Sequence, residues 1–140
     1  MMSDLNILVT GGLGYLGGRI ADYLKKQHPE STIILGTSRK ISQAPDWAKP
    51  FQIVRLNLCD KTTIEEAVSS DLHAIIHLAA LNENESFCNI KLAWEVNTLG
   101  TQSLLSIANQ KRVQKFIYFS TYHVYGDFQK TITEKSPTYS

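Results

Sequence analysis

Little in this chain is in excess, and each shortage excludes something. There are only two cysteines in 140 residues, Cys59 and Cys88, far apart and in no motif. A disulfide framework is therefore excluded, and reduced thiols of a cytoplasmic protein are expected. Charge of one sign is missing too: 14 Lys plus Arg stand against 13 Asp plus Glu, a formal net charge of +1. Such a balance gives no electrostatic case for nucleic acid or a membrane surface as partner. Long apolar runs are absent, so no membrane-spanning helix is expected. The start, "MMSDLNILVTGG", has neither the basic segment nor the apolar length of a secretory signal.

What remains is an ordinary globular composition, 43% hydrophobic and 19% charged, in a length that fits one domain. Short apolar runs alternate with longer amphipathic stretches. The runs "LNILVT" (5–10), "TIILGTS" (32–38), "FQIVRL" (51–56), "LHAIIHLAA" (72–80) and "KFIYFST" (115–121) read as strands. Between the first two, Leu16, Ile20, Tyr23 and Leu24 recur at helical spacing until Pro29. Asp60 is placed to cap a helix across "KTTIEEAVSS". A polar loop, "NENES", precedes one long helix from about Ile90 to Gln110, with Leu92, Val96, Leu99, Leu104 and Ala108 as its stripe. Strands alternating with helices predict an α/β fold with a doubly wound parallel sheet, buried on both faces.

The glycines are concentrated. Five of the eight residues from Gly11 to Gly18, in "TGGLGYLGG", are glycine, and they follow the first strand and open the first helix. That placement is the one a dinucleotide fingerprint requires. A helix N-terminus offers free N–H groups and a positive dipole end to a pyrophosphate, and glycine lets the backbone come close. Two registers fit: Gly12, Gly14 and Gly17, or Gly11, Gly14 and Gly17. Tyr15 and Leu16, between them, belong to the same candidate cofactor-binding turn. A glycine-rich turn with no ligand is the plain alternative.

Further along, the second strand ends "IILGTSRK". Gly36 stands where an NAD-binding chain would be expected to carry an acidic residue for the ribose, and Arg39 and Lys40 follow. Losing a carboxylate and adding cations favours a 2′-phosphate, so NADP is favoured over NAD as cofactor. The alternative is that both cations are solvated loop charges. His73 and His77 have H-x₃-H spacing, but on a β-rich segment with no third ligand nearby, so packed strand histidines are favoured and no metal site is expected. His123, in a loop after the fifth strand, is read equally as touching substrate or facing solvent, whereas Glu83 and Glu85, after the fourth, are read as solvated loop charges rather than substrate contacts. Trp47 and Trp94 are expected to fill core edges or to rim the cofactor site.

Read together, the glycine loop, "LNLCD", "HLAA", "VNTLGT" and "STYHVYG", in this order, resemble the extended short-chain dehydrogenase/reductase family, also called the NAD-dependent epimerase/dehydratase family. The resemblance covers nearly the whole chain. It implies a Rossmann-type domain in which Gly11, Gly14 and Gly17 cradle the pyrophosphate, and it favours Gly11 as the first of the three. Asn57 would stand where the family usually has an aspartate against the adenine, with Leu58 beside it. Asp60 would cap the next helix, Ala79 and Ala80 would line the cofactor, and Asn97 would brace the loops around it. Thr121 aligns with the family's catalytic Ser/Thr, with Ser120 beside it. The implied chemistry is hydride transfer between nicotinamide and a small-molecule substrate, foremost a nucleotide sugar, by an epimerase, dehydratase or reductase. Homodimers through the long helix are also implied for the full-length protein.

The chain departs from the family in one respect. Its tyrosine and lysine form Y-x-x-x-K, and none of the six tyrosines here has lysine four residues on. The expectation is therefore a truncated dinucleotide-binding domain over 1–126, with 127–140 as an active-site loop or tail leading toward strands and a substrate domain that the chain lacks. Such a fragment is expected to bind a dinucleotide without turning over. The alternative is a non-catalytic dinucleotide-binding sensor or scaffold protein.

Overall fold

The strands form where β-branched and apolar residues alternate, and each hands its side chains in turn to opposite faces. The computed structural model describes residues 4–126 and 131–138. Strands β1 (Asn6–Thr10), β2 (Thr32–Thr37), β3 (Gln52–Arg55), β4 (Ala74–His77) and β5 (Lys115–Tyr118) make one parallel sheet in the order β3-β2-β1-β4-β5. The order reverses between β1 and β4, which defines a switch point at the carboxyl ends of those two strands. In register, Thr10 lies beside both Gly36 and His77, and His77 lies beside Tyr118.

Helix α1 (Tyr15–Gln27) covers one face of the sheet. Ile7, Val9, Ile33, Leu35 and Ile76 pack there with Leu13, Ala21 and Ala48. Helices α2 (Lys61–Ala67) and α5 (Thr101–Gln110) cover the other face, where Leu8, Ile34 and Ile75 meet Ile64, Leu104 and Ile107. The predicted alternation is therefore real in the central strands, and the sheet is doubly wound. At its two borders the prediction of burial on both faces fails. β3 has no fully buried residue, and in β5 Ile117 is 40% and Tyr118 57% exposed. Edge strands lack the second neighbour that would cover them.

Asp60 caps α2 as expected, its carboxylate accepting from the Thr62 N–H at 3.1 Å. "NENES" is a helix rather than a loop: α3 (Glu83–Cys88) is started by a reciprocal capping box. Asn82 accepts from the Glu85 N–H at 2.9 Å, and the Glu85 carboxylate accepts from the Asn82 N–H at 3.1 Å. The N-x-x-E spacing that signals this was present in the sequence.

The long helix is also corrected. Its course runs through α4 (Ile90–Ala93), a π-helical segment Trp94–Gly100, and α5. Wider turns in the middle shift the apolar stripe, so Leu104 and Ala108 are buried while Leu92 and Leu99 are exposed. Trp94, at the start of that segment, is 61% exposed and fills no core edge. Trp47 lies over Gly18 instead, outside the core. Among the described residues no helix is long and apolar enough to cross a membrane.

Candidate functional site

The glycine turn is built by backbone contacts that leave no room for side chains. Gly11 has φ +65°, a conformation costly for any residue with a Cβ, and it faces Ala79 at the end of β4. A Cβ there would lie 3.1 Å from the Ala79 nitrogen. Gly12 turns inward, donating its N–H to the Gly36 carbonyl at 3.0 Å, and a Cβ would lie 2.7 Å from that of Leu35. Gly17 is buried in α1, where a Cβ would strike the Gly11 carbonyl oxygen and stand 2.7 Å from the Gly12 Cα. Thus Gly11 and Gly14 face the site, while Gly12 and Gly17 let strand and helix close behind it. Both registers of the motif are structurally required, for different reasons.

Gly14 is the N-cap of α1, in extended conformation and without a side-chain cap. The first helical N–H groups have no acceptor within the helix, and the first turn carries no acidic side chain. That end of the helix is suited to an anion.

From this turn a groove of about 420 Å³ crosses the carboxyl ends of β2, β1 and β4. Gly11, Gly14, Arg39, Asn57, Leu58, Ala79 and Ala80 line it, as do Thr37 and Ser38. Sequence reasoning had placed the first seven in one site; Asn82 and Glu85, from the unanticipated capping box, join them. Gly36 lies inside β2, with Leu56 3.1 Å from where its Cβ would be, and Thr37, which ends β2, is presented to the groove with Ser38 and Arg39 after it. Arg39 is fixed at its backbone, its N–H donating to Thr37 Oγ1 at 3.1 Å. The Asn57 side-chain oxygen already accepts from the Cys59 N–H at 3.1 Å, which leaves it one further lone pair.

A second, wider cleft of about 700 Å³ continues past Ala79 and Ala80 toward β5. Leu16, Asn97, Ser120, Thr121 and His123 line it. Asn97 holds Leu81 by both backbone groups: it accepts from the Leu81 N–H at 2.8 Å and donates to the Leu81 carbonyl at 3.2 Å. Thr121 caps the short turn Tyr122–Tyr125, its hydroxyl oxygen accepting from the His123 N–H at 3.2 Å. His123 stands 3.7 Å from Glu83 across the cleft, both side chains largely in solvent, where such a pair contributes little to stability. Tyr15 lies elsewhere: it is 79% exposed, in a separate depression with Trp47 and Arg19.

Of the H-x₃-H pair, His77 is a packed strand residue, and His73 stands half-buried just before β4. His73 accepts from the Asn6 N–H at 3.0 Å through Nδ1. His77 is buried beneath the junction of the two cavities, 2.6 Å from Thr10 Oγ1 and 2.9 Å from Thr101 Oγ1. Burial pushes its pKa down to about 4, so the ring is neutral at physiological pH. Sequence reasoning had missed this network, as it had missed Gly100, where a Cβ would stand 2.5 Å from that of Leu58. Glycine in "NTLGT" was the available signal for that close helix-to-loop approach.

A parallel sheet wound on both faces, with a glycine turn, a free helix N-terminus and a groove at its switch point, defines a dinucleotide-binding fold of the Rossmann type. More particularly, the chain belongs to the NAD dependent epimerase/dehydratase family, whose model it matches over residues 7–140. It is 35% identical to a dTDP-D-glucose 4,6-dehydratase of Dictyostelium discoideum over 129 residues, 86% of this chain and 30% of that protein. It is 28% identical to the D-erythronate dehydrogenase of Haemophilus influenzae, over 94% of this chain and 43% of the other. Among solved structures it resembles the UDP-glucose 4-epimerase of Thermus thermophilus in complex with NAD, with a TM-score of 0.79 at 26% identity. That match covers 96% of this chain and 44% of the epimerase. The chain thus spans less than half the length of these relatives.

Proposed function

We propose that this chain is the cofactor-binding part of an NAD(P)-dependent enzyme that moves a hydride to and from a nucleotide sugar or a related alcohol or carbonyl. The observation that carries the reading is the groove, where a Cβ-free turn at Gly11 and Gly14, the Arg39 cation and the small Ala79 and Ala80 share one continuous surface. These residues fit a dinucleotide. The pyrophosphate would lie on the α1 N-terminus, the adenosine toward Arg39, Asn57 and Leu58, and the nicotinamide in the wider cleft. The bound nicotinamide would supply the hydride acceptor. Leu16 and Ser120 would border it, and the Thr121 hydroxyl, whose oxygen is held by the His123 N–H, would donate its hydrogen to the substrate oxygen.

Arg39 supports NADP over NAD, since guanidinium pairs with a phosphate in a two-bond fork. The names of the dehydratase and epimerase relatives support a nucleotide sugar as substrate. Exposed Leu99 and Leu105, along the π-helical segment and α5, support a homodimer of the longer protein. Free Cys59 and Cys88 support a cytoplasmic setting. The absence of Y-x-x-x-K supports binding without turnover by this chain alone; Tyr139, the last tyrosine, lies outside the described residues. Titration of the chain with NADPH and with NADH, followed by nicotinamide fluorescence, tests the proposal. Saturable binding with NADPH the tighter is expected, and no binding of either would overturn it.

A further inference from the structure

Thr10 ends β1 and His77 ends β4, and the two are neighbours in register although 67 positions apart in sequence. Both are buried. Thr10 Oγ1 accepts two backbone hydrogen bonds, from the N–H groups of Leu78 and Ala79, each at 3.1 Å. A hydroxyl has two acceptor lone pairs and one hydrogen. With both lone pairs engaged, the hydrogen goes to the remaining neighbour, His77 Nδ1, at 2.6 Å. Nδ1 is therefore an acceptor, and the neutral ring carries its proton on Nε2. That N–H donates to Thr101 Oγ1 at 2.9 Å. Phe116 and Tyr118 flank the ring, each with its centroid 5.8 Å away.

The chain of bonds ends at the groove. Leu78 and Ala79 form its wall beside β4, and Ala79 is the residue against which Gly11 is pressed. The gap between the glycine turn and the Ala79–Ala80 turn thus depends on where the Thr10 hydroxyl points.

We propose that His77, held as its Nε2–H tautomer, is a positioning residue of the dinucleotide groove. By accepting the Thr10 hydrogen it fixes that hydroxyl with both lone pairs toward Leu78 and Ala79. The inference rests on the groove being a dinucleotide site. It separates the two ring nitrogens: Nδ1 serves the cofactor, and Nε2 ties α5 to the sheet.

Two measurements test this. In ¹⁵N-labelled protein, the His77 signals, assigned by their loss in His77→Asn, should show an unprotonated Nδ1 and a protonated Nε2 at neutral pH. NADPH and NADH titrations should then distinguish two amides. His77→Asn sets its oxygen near the place of Nδ1 and should hold affinity within about threefold, while His77→Gln reaches the place of Nε2 and should weaken binding about tenfold, the worth of a hydrogen bond. Thr10→Ser should match the wild type. A protonated Nδ1, or equal affinities in the two His77 variants, would overturn the inference. A wild-type chain that binds neither dinucleotide would overturn the proposed function itself and the inference with it.

Discussion

The two ends of the site differ in construction. The glycine-turn end is walled by backbone: Gly11 against Ala79, Gly12 under Leu35, Gly17 against both glycines, with almost no space between them. The β5 end is walled by side chains that stand about half in solvent, with Tyr118 57% and Phe119 46% exposed. At the first end a single methyl group collides with main chain that cannot move aside. At the second it meets water or a flexible neighbour. Geometry is therefore fixed where the chain packs on itself. The β5 end is left to loops, which can be exchanged without disturbing the sheet.

Substitutions can break this contrast. The largest effect is expected at Gly17, where alanine would drive its Cβ into the Gly11 carbonyl. Gly17→Ala should lower stability by about 3 kcal/mol, seen as a lower denaturant midpoint, and should remove dinucleotide binding. A wild-type midpoint would show that the turn can yield.

Acid should act on the same closed end. His77 has its pKa pushed down to about 4 in the fold, against an ordinary value of 6.5. Between those values the unfolded chain takes up a proton that the folded chain does not, so stability falls with pH across that window and levels off below it. The loss should reach about 3 kcal/mol in urea titrations at steps from pH 7 to pH 4, and His77→Asn should lack that component.

Gly14 sharpens the contrast between packing and binding, because its Cβ would meet only the Gly11 carbonyl, at 3.0 Å. Gly14→Val should abolish dinucleotide binding while the circular dichroism of the sheet and helices stays unchanged. Retained affinity would remove the cradle from the proposal. Arg39→Glu should weaken NADPH about 30-fold, the range of a charge-assisted hydrogen bond, and NADH hardly at all. Equal losses for both cofactors would end the argument for NADP. The smallest effect is expected at Thr121, in the exposed turn after β5. Thr121→Ala removes the cap of that turn and should lower stability by no more than about 1 kcal/mol, leaving NADPH affinity unchanged. A substantial loss of either would show the open end to be as tightly built as the closed one.

Most of the fold was legible because its signals are local. β1, β2 and β4 are short apolar runs with alternating partners. Asp60 caps its helix through the next turn, and Pro29 ends the segment of α1. The glycine spacing marked the turn between β1 and α1 because strand, turn and helix N-terminus are contiguous. The π-helical segment was not legible, since a stripe of apolar residues carries no mark of a wider turn until Asn97 meets Leu81 and Gly100 meets Leu58. Nor did composition distinguish the exposed β5 from the buried β4, as both are apolar and only one has a neighbour on each side.

By itself, the sequence determined the alternation of strands and helices, the turn at Gly11 to Gly17 and the family to which they belong. These depend on residues within a few positions of one another, where chain connectivity supplies the proximity. Only the tertiary structure decided that Gly12 packs while Gly11 faces the groove, that Arg39 and Asn57 share its lining with Ala79, and that His77 meets the Thr10 hydroxyl. Each of these joins positions brought together by strand pairing across the sheet. A hydrogen bond between residues 10 and 77 exists only once β1 and β4 have found their register.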